Sequence, residues 1–370
     1  MISGLLSGLL LIEISETFNI PVAIAGQLNT ISFIISVIFA ILTSMLTLKY
    51  NHKHLLQVGL IIYVLSSIGC FLAPNFKCLL VSFSLTGVGY ALTTTMAFTL
   101  VPELFPTEKR GEVIGWIIAG MSGSYLIGAF TVPYLQGIGG WRVTFLGYML
   151  PFSLIALLFA TLFIPGKLLK GLSNDGLEFR KSYLEIFSNR SALFSLFGYL
   201  LAMVPWQAIM TFNSSFFREW FSLSIGEASI LILFGASLYT FGSIVSGKFV
   251  NRIGKKPLTV ISIIFAGFVI MGYSFLPGVW LCGGCLCFSC LLVGVMDTAS
   301  TGLIIEQSPL YVGIMMSLHR AVTQIGFSVG SGLGGFMLLV YGYRSMFLGL
   351  GFLGLLSGMV FHFFTSDPTI

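Results

Sequence analysis

Apolar stretches of about twenty residues recur from one end of this chain to the other, each long enough to cross a hydrocarbon layer of about 30 Å as a helix. That pattern leaves few choices. A backbone in hydrocarbon must satisfy its hydrogen bonds within a helix or a closed barrel. A barrel would show ten-residue segments of alternating polarity, and the sequence has none. Charged residues make up 8% of the 370, against about 25% in soluble domains, so the chain cannot coat itself with water-facing charge. We read an all-α membrane protein with spans near 1–15, 22–48, 55–73, 78–101, 113–135, 143–164, 191–212, 228–247, 258–275, 280–303, 312–337 and 344–364.

Twelve spans put both termini on one face of the membrane. Thirteen Lys and Arg, from Lys49 to Lys256, lie on that face or at its boundary, against Lys77, Arg142, Arg218 and Arg344 opposite. The bias assigns the termini to the cytoplasm. The net charge of +5 is thus a matter of topology, and nucleic acid is not an expected partner. "CGGCLCFSC" crowds Cys282, Cys285, Cys287 and Cys290, but on a helix these thiols spread over a wide arc and cannot converge on one tetrahedral ion. They read as packing residues, and we expect no metal or cofactor.

Sliding the chain against itself by 202 positions brings Gly128 onto Gly330, Gly140 onto Gly342, Arg142 onto Arg344 and Lys53 onto Lys255. With one residue of slack, Glu103 meets Glu306. The reading is two pseudo-symmetric six-helix bundles, 1–165 and 191–370, joined by a cytoplasmic linker over 166–190 that lies along the membrane face as a short helix. The first helix looks truncated: the counterpart of the seventh span would start about ten residues before Met1. We expect the reading frame to begin upstream.

"GKFVNRIGKKPL" from Gly247 resembles the loop motif of the major facilitator superfamily, and "ELFPTEKRGEVIG", "GIGGWRVTFL" and "VYGYRSMFL" resemble that family's other loop signatures. "IEISETFNIPVAIAGQL" is similar to the start of drug and sugar efflux permeases of the drug:proton antiporter type. The resemblance implies a secondary transporter of a small organic solute, working by alternating access and moving it outward, the direction those permeases take. It assigns a conformational role to Gly247, Asn251, Arg252, Gly254, Lys255 and Lys256. Asn251 stands where the motif has Asp. The first-half copy, "MLTLKYNHKH", keeps only Lys53, and Phe83 occupies the place of an Arg found in many proton-coupled members.

An ionisable residue at mid-bilayer costs about 3 kcal/mol and marks function by default. Asp297 and Arg320 lie twelve and eleven residues from the turn at Pro309, hence at matching depth on successive spans. Cys290, Gly294, Asp297 and Thr301 share one face; Ser317, Arg320, Gln324 and Ser328 share another, with His319 pointing elsewhere. The functional reading is a site for substrate or a coupling proton or sodium ion; the plain alternative is an ion pair holding two helices together. Further candidates are Trp206 and Gln207 after a kink at Pro205, Asn29 with Ser32 and Ser36 on span 2, and Glu13. Gly326, Gly330 and Gly334, echoed by Gly128, read as close-packing positions where the two halves rock. "GSIVSGKF" nearly matches a phosphate loop, but Phe249 replaces the magnesium-binding hydroxyl and the segment ends an apolar helix. Catalytic residues are absent from this reading, which leaves a monomeric transporter in the cell membrane. The alternatives are a non-transporting membrane sensor or a membrane-embedded enzyme.

Overall fold

A computed structural model describes residues 2–47, 49–165, 185–273 and 275–367. The expected linker at 166–190 lies outside the described residues as far as 184. The chain divides into two compact units, Met1–Ser173 and Asn174–Ile370, and among the described residues there is no strand. Nine helices there are long and apolar enough to cross a membrane.

In the first unit the helices are α1 (Ile2–Leu9), α2 (Leu11–Phe18), α3 (Val22–Ala25), α4 (Gln27–Leu46), α5 (His52–Leu72), α6 (Phe76–Leu104), α7 (Thr107–Thr144) and α8 (Leu150–Phe163). In the second they are α9 (Arg190–Phe221), α10 (Ile225–Ile253), α11 (Lys255–Tyr273), α12 (Val279–Glu306) and α13 (Val312–Phe364). The expected first span is two short helices, separated at Leu10 with φ −104° and ψ 12°. The second is likewise divided, at Gly26. Pro205 lies inside α9 without ending it.

Side-chain caps start several of these helices. Asn51 accepts from the Lys53 amide at 2.8 Å, Asn75 from Cys78 at 2.9 Å and Asn189 from Ala192 at 3.2 Å. Ser224 and Glu227 form a reciprocal capping box at α10. Each satisfies an amide that the helix itself leaves without a partner.

Two continuous helical runs, α7 into α8 and α13 by itself, each hold two spans, and the device that separates the spans is the same. Within α7 the backbone leaves helical geometry at Gly139 and Gly140, and within α13 at Gly342. Gly140 has φ +73° and Gly342 φ +77°, in extended ψ, a region that only glycine enters without strain. These are counterparts at the offset of 202. The arginines two residues on repeat as well. The Arg142 guanidinium lies 5.7 Å from the Phe18 ring and 4.5 Å from Trp141, and it donates to Ala73 O at 2.7 Å. Arg344 sits 5.4 Å over Trp220 and 6.0 Å over Phe275, the counterparts of Phe18 and Ala73. Each arginine thus ties its hairpin turn to the ends of two neighbouring helices of its own bundle.

Close packing within the second unit rests on small residues. A Cβ on Gly326 would fall 2.8 Å from Met203 Cβ, on Gly330 2.4 Å from Val204 O, and on Gly334 2.8 Å from Ala208 Cβ. The glycine stripe of α13 therefore packs on α9 inside one bundle. Gly128 does the same in the first unit, against Leu5 of α1. Helix contact at this distance needs a missing side chain on one partner.

Adding a methyl group at the two hairpin turns tests their shared conformation. Gly140→Ala and Gly342→Ala should each destabilise the protein by about 1–3 kcal/mol, read as a lower melting temperature in detergent. An alanine at either site that melts with the parent protein would rule out the positive-φ turn there.

Candidate functional site

Gly294 lies one turn before Asp297 on α12, and a Cβ there would fall 2.1 Å from Tyr239 O. The missing side chain lets α10 approach α12 until the Tyr239 hydroxyl reaches Asp297 Oδ2, to which it donates at 2.5 Å. From the other side α9 brings Tyr199, whose hydroxyl donates to Oδ1 at 2.6 Å. Both carboxylate oxygens are therefore held by phenols from separate helices. A carboxylate withdrawn from water needs such donors, because an uncompensated buried charge is the costlier state.

Aromatic rings extend this centre. Trp206 stacks on Tyr239 with centroids 5.1 Å apart, and His319 lies against Tyr199 at 4.2 Å. His319 Nε2 is 3.3 Å from the Thr301 hydroxyl, one turn beyond Asp297. His319, which spacing places off the Arg320 face of α13, turns its ring towards α9 and α12. Tyr199, Tyr239 and His319 are thus the residues of the site that sequence reasoning missed. Their faces were legible from helical spacing, but the contacts join residues 98 and 58 positions apart.

The remaining candidates take varied places. Arg320 is half-buried on α13, next to His319. Gln324, one turn on, is buried, and its Oε1 finds no partner among the described residues. Gln207 is buried and donates to Thr211 one turn along its own helix at 3.1 Å. Asn29 is buried in the first unit and accepts from Ser7 at 2.6 Å, while Ser32 meets Thr86 at 2.8 Å. The polar stripe of the second span thus holds three helices of that bundle together. Glu13 is half-buried in α2, where its carbonyl accepts from Thr17. Cys290 belongs to the α10–α12 contact, its sulfur 3.0 Å from where a Cβ on Gly235 would lie.

The loop motif works through its two lysines. Lys255 pairs with Glu306 at the end of α12, and Lys256 donates to Thr365 O, past the end of α13, at 2.6 Å. Gly254 turns the chain with φ +93°. Arg252 is exposed in the last turn of α10, and the Asn251 side chain lies outside the described residues. Gly247 lies within α10, with no described atom within 4 Å of its missing Cβ. The first unit repeats both ties despite its altered motif. His52 Nδ1 meets Glu103 at 2.6 Å, and Lys53 donates to Thr161 O at 2.9 Å and Ile164 O at 2.5 Å. By contact, Lys53 answers to Lys256 and His52 to Lys255, a shift of one residue from the sequence alignment. Cations at helix C-termini meet carbonyls the helix leaves without partners.

Comparison with known proteins places this geometry. The family model described as the Major Facilitator Superfamily matches residues 1–310 and 195–370. The uncharacterised MFS-type transporter YceJ of Bacillus subtilis (strain 168) is 21% identical over 328 residues, covering 88% of this chain and 82% of its own. Among solved structures, a D-xylose–proton symporter superposes with a TM-score of 0.77 at 16% identity, over 99% of this chain and 96% of that one. A bacterial homologue of the human lysosomal transporter Spinster, inward-facing and occupied, gives 0.80 at 15% identity, over 98% and 93%. These likenesses show the twelve-helix fold.

If the phenols hold the carboxylate as described, their removal should be felt only while the carboxylate is present. Tyr199→Phe and Tyr239→Phe should each cost about 1–3 kcal/mol of stability. In an Asp297→Ala background, each loss should shrink by about 1 kcal/mol or more. Equal losses in both backgrounds would assign the tyrosines to packing alone.

Proposed function

The chain belongs to the Major Facilitator Superfamily, and from that premise we propose that it exports a small organic solute from the cell by coupling its movement to an ion gradient. It is a secondary transporter and not an enzyme. In this proposal residues 1–165 and 191–370 are the halves that alternate access, with 166–190 as their tether. The chain works as a monomer in the cell membrane with both termini in the cytoplasm, a placement supported by the bias of Lys and Arg.

One observation carries the coupling part of this reading: Asp297, within the long apolar helix α12, accepts from Tyr199 and Tyr239 on two other helices. A carboxylate kept at such depth is costly and marks an ion or substrate pathway by default. Phenol donors are suited to the task, because they hold an anion without neutralising it and can be exchanged for a proton or a solute cation. Trp206 and His319 supply the adjoining aromatic surface, and Arg320 and the buried Gln324 amide offer further polar groups on α13. In the loop motif, the Lys255–Glu306 and Lys256–Thr365 contacts join helix ends within the second half and would have to persist or break as a set during its movement.

Flux in reconstituted liposomes, screened over organic solutes under imposed proton and sodium gradients, tests the proposal. A transported solute should leave against its gradient when protons or sodium ions run the other way. Asp297→Asn, at matched protein level, should reduce that coupled flux to background. Normal accumulation by Asp297→Asn would remove this residue from coupling. A failure of every solute to move would favour the sensor reading.

A further inference from the structure

His52 is the first residue of α5, directly after the Asn51 cap, and it is buried. Both of its ring nitrogens face oxygen. Nδ1 lies 2.6 Å from Glu103 Oε1 in the last turn of α6, and Nε2 lies 3.3 Å from Thr47 O, just past the end of α4. A carbonyl oxygen and an ionised carboxylate can only accept. A neutral imidazole has one ring proton, so it would turn a lone pair on one of these two oxygens. The ring satisfies both contacts only when it carries two protons. The N-terminus of α5 opposes a cation at this place, whereas the ends of α4 and α6, which the ring faces, favour one.

The second unit shows what is unusual here. Its matching glutamate, Glu306, is met by Lys255. Histidine is the side chain whose ordinary charge change falls between pH 5 and 8, so the first unit has a titrating group where the second has a lysine. The histidine pair is also the more enclosed. His52 and Glu103 side chains are 6% and 17% exposed, against 20% and 35% for Lys255 and Glu306. Glu103 Oε2 is buried and finds no partner among the described residues. Removing one charge of such an enclosed pair strands the other, which is the costly outcome. The other ionisable groups near the ring are engaged elsewhere or exposed. Lys53 reaches Thr161 O and Ile164 O, and His54 meets Gln57 at 3.2 Å. Neither α4 nor α8 carries a charged side chain. At the start of α7, Arg110 Nε donates to Phe105 O, and Lys109 and Glu112 are exposed. Lys49 is exposed in the turn before α5.

We propose that His52 and Glu103 form a proton-operated fastening at one end of the first unit. With two ring protons, His52 ties the ends of α4 and α6 to the start of α5. When the second proton leaves, one of the two contacts becomes a meeting of lone pairs and the tie loosens. The equivalent tie of the second unit, made by a lysine, stays closed over the same range. The stability that the fastening contributes is therefore present at acid pH and is lost as pH rises. In the orientation proposed above it senses the pH of the cytoplasm, and it acts independently of Asp297 and of the solute that is carried.

The chain has four histidines, so ring nitrogen-15 spectra of the full chain in detergent are simple enough to read. The signals of His52 are those lost in His52→Gln. At about pH 5 both of its ring nitrogens should be protonated, and by about pH 8 one should have lost its proton. Melting temperatures over the same range test the mechanical consequence. The parent should lose about 2 °C or more relative to His52→Lys as pH rises, because the lysine keeps its charge. Glu103→Gln should remove that pH-dependent part, and it serves as the comparison if His52→Lys does not fold. A His52 ring with a single proton at the acid end would overturn the proposal. So would a difference between parent and His52→Lys that is the same at every pH, or a pH response that persists undiminished in Glu103→Gln.

Discussion

A polar group at membrane depth is costly unless it finds a partner within the protein, because hydrocarbon offers none. That requirement is met here by long helices, with turns between them, throughout the described residues. It also decides the fate of the polar side chains. Hydroxyls of Ser15, Thr43, Thr93 and Ser153 return to carbonyls of their own helices. Those that cross between helices, such as Ser7 to Asn29 and Ser66 to Ser82 O, hold particular pairs together. Asp297 is the extreme case, since a carboxylate asks for more donors than a helix surface provides. Three helices converge on it, and the small side of Gly294 makes that convergence possible.

The internal repeat solves the same mechanical problems twice with different residues. Hairpin turns rest on Gly140 and Gly342 with an arginine two positions later. At the opposite ends of the helices, a basic side chain meets a glutamate and a lysine caps a helix terminus. In the second unit both side chains are lysines. In the first, the glutamate's partner is His52, which also has Nε2 3.3 Å from Thr47 O. The first-half motif has therefore drifted in sequence while keeping its contacts, which is why alignment by residue type undervalues it.

Asp297 was legible in the sequence because charge is scarce and its position can be counted from Pro309. Its partners were not. Tyr199 and Tyr239 are ordinary residues of apolar helices until the fold aims their hydroxyls. The neighbours of His319 were not legible either, because an angle on an isolated helix says nothing about which helices surround it. The glycines of α13 form one face by their spacing, but spacing alone cannot say which helix approaches it. The structure supplies α9 of the same bundle. The polar stripe at Asn29 and Ser32 has the same ambiguity, and here too internal contacts account for it.

Taken alone, the sequence determined the class of protein, its twelve spans, its duplication and the family resemblance. Those properties follow from composition, period and local chemistry, which act over a few turns of chain: hydropathy over twenty residues, glycine at a turn, a cap beside a helix. Only the tertiary structure decided what surrounds Asp297, which helix the glycine stripes admit, and that the first unit holds a cavity between α5, α6, α7 and α8. These depend on residues far apart in the chain meeting at distances of a few ångströms. Helical periodicity gives each face an angle about its own axis, but no information about the axis beside it.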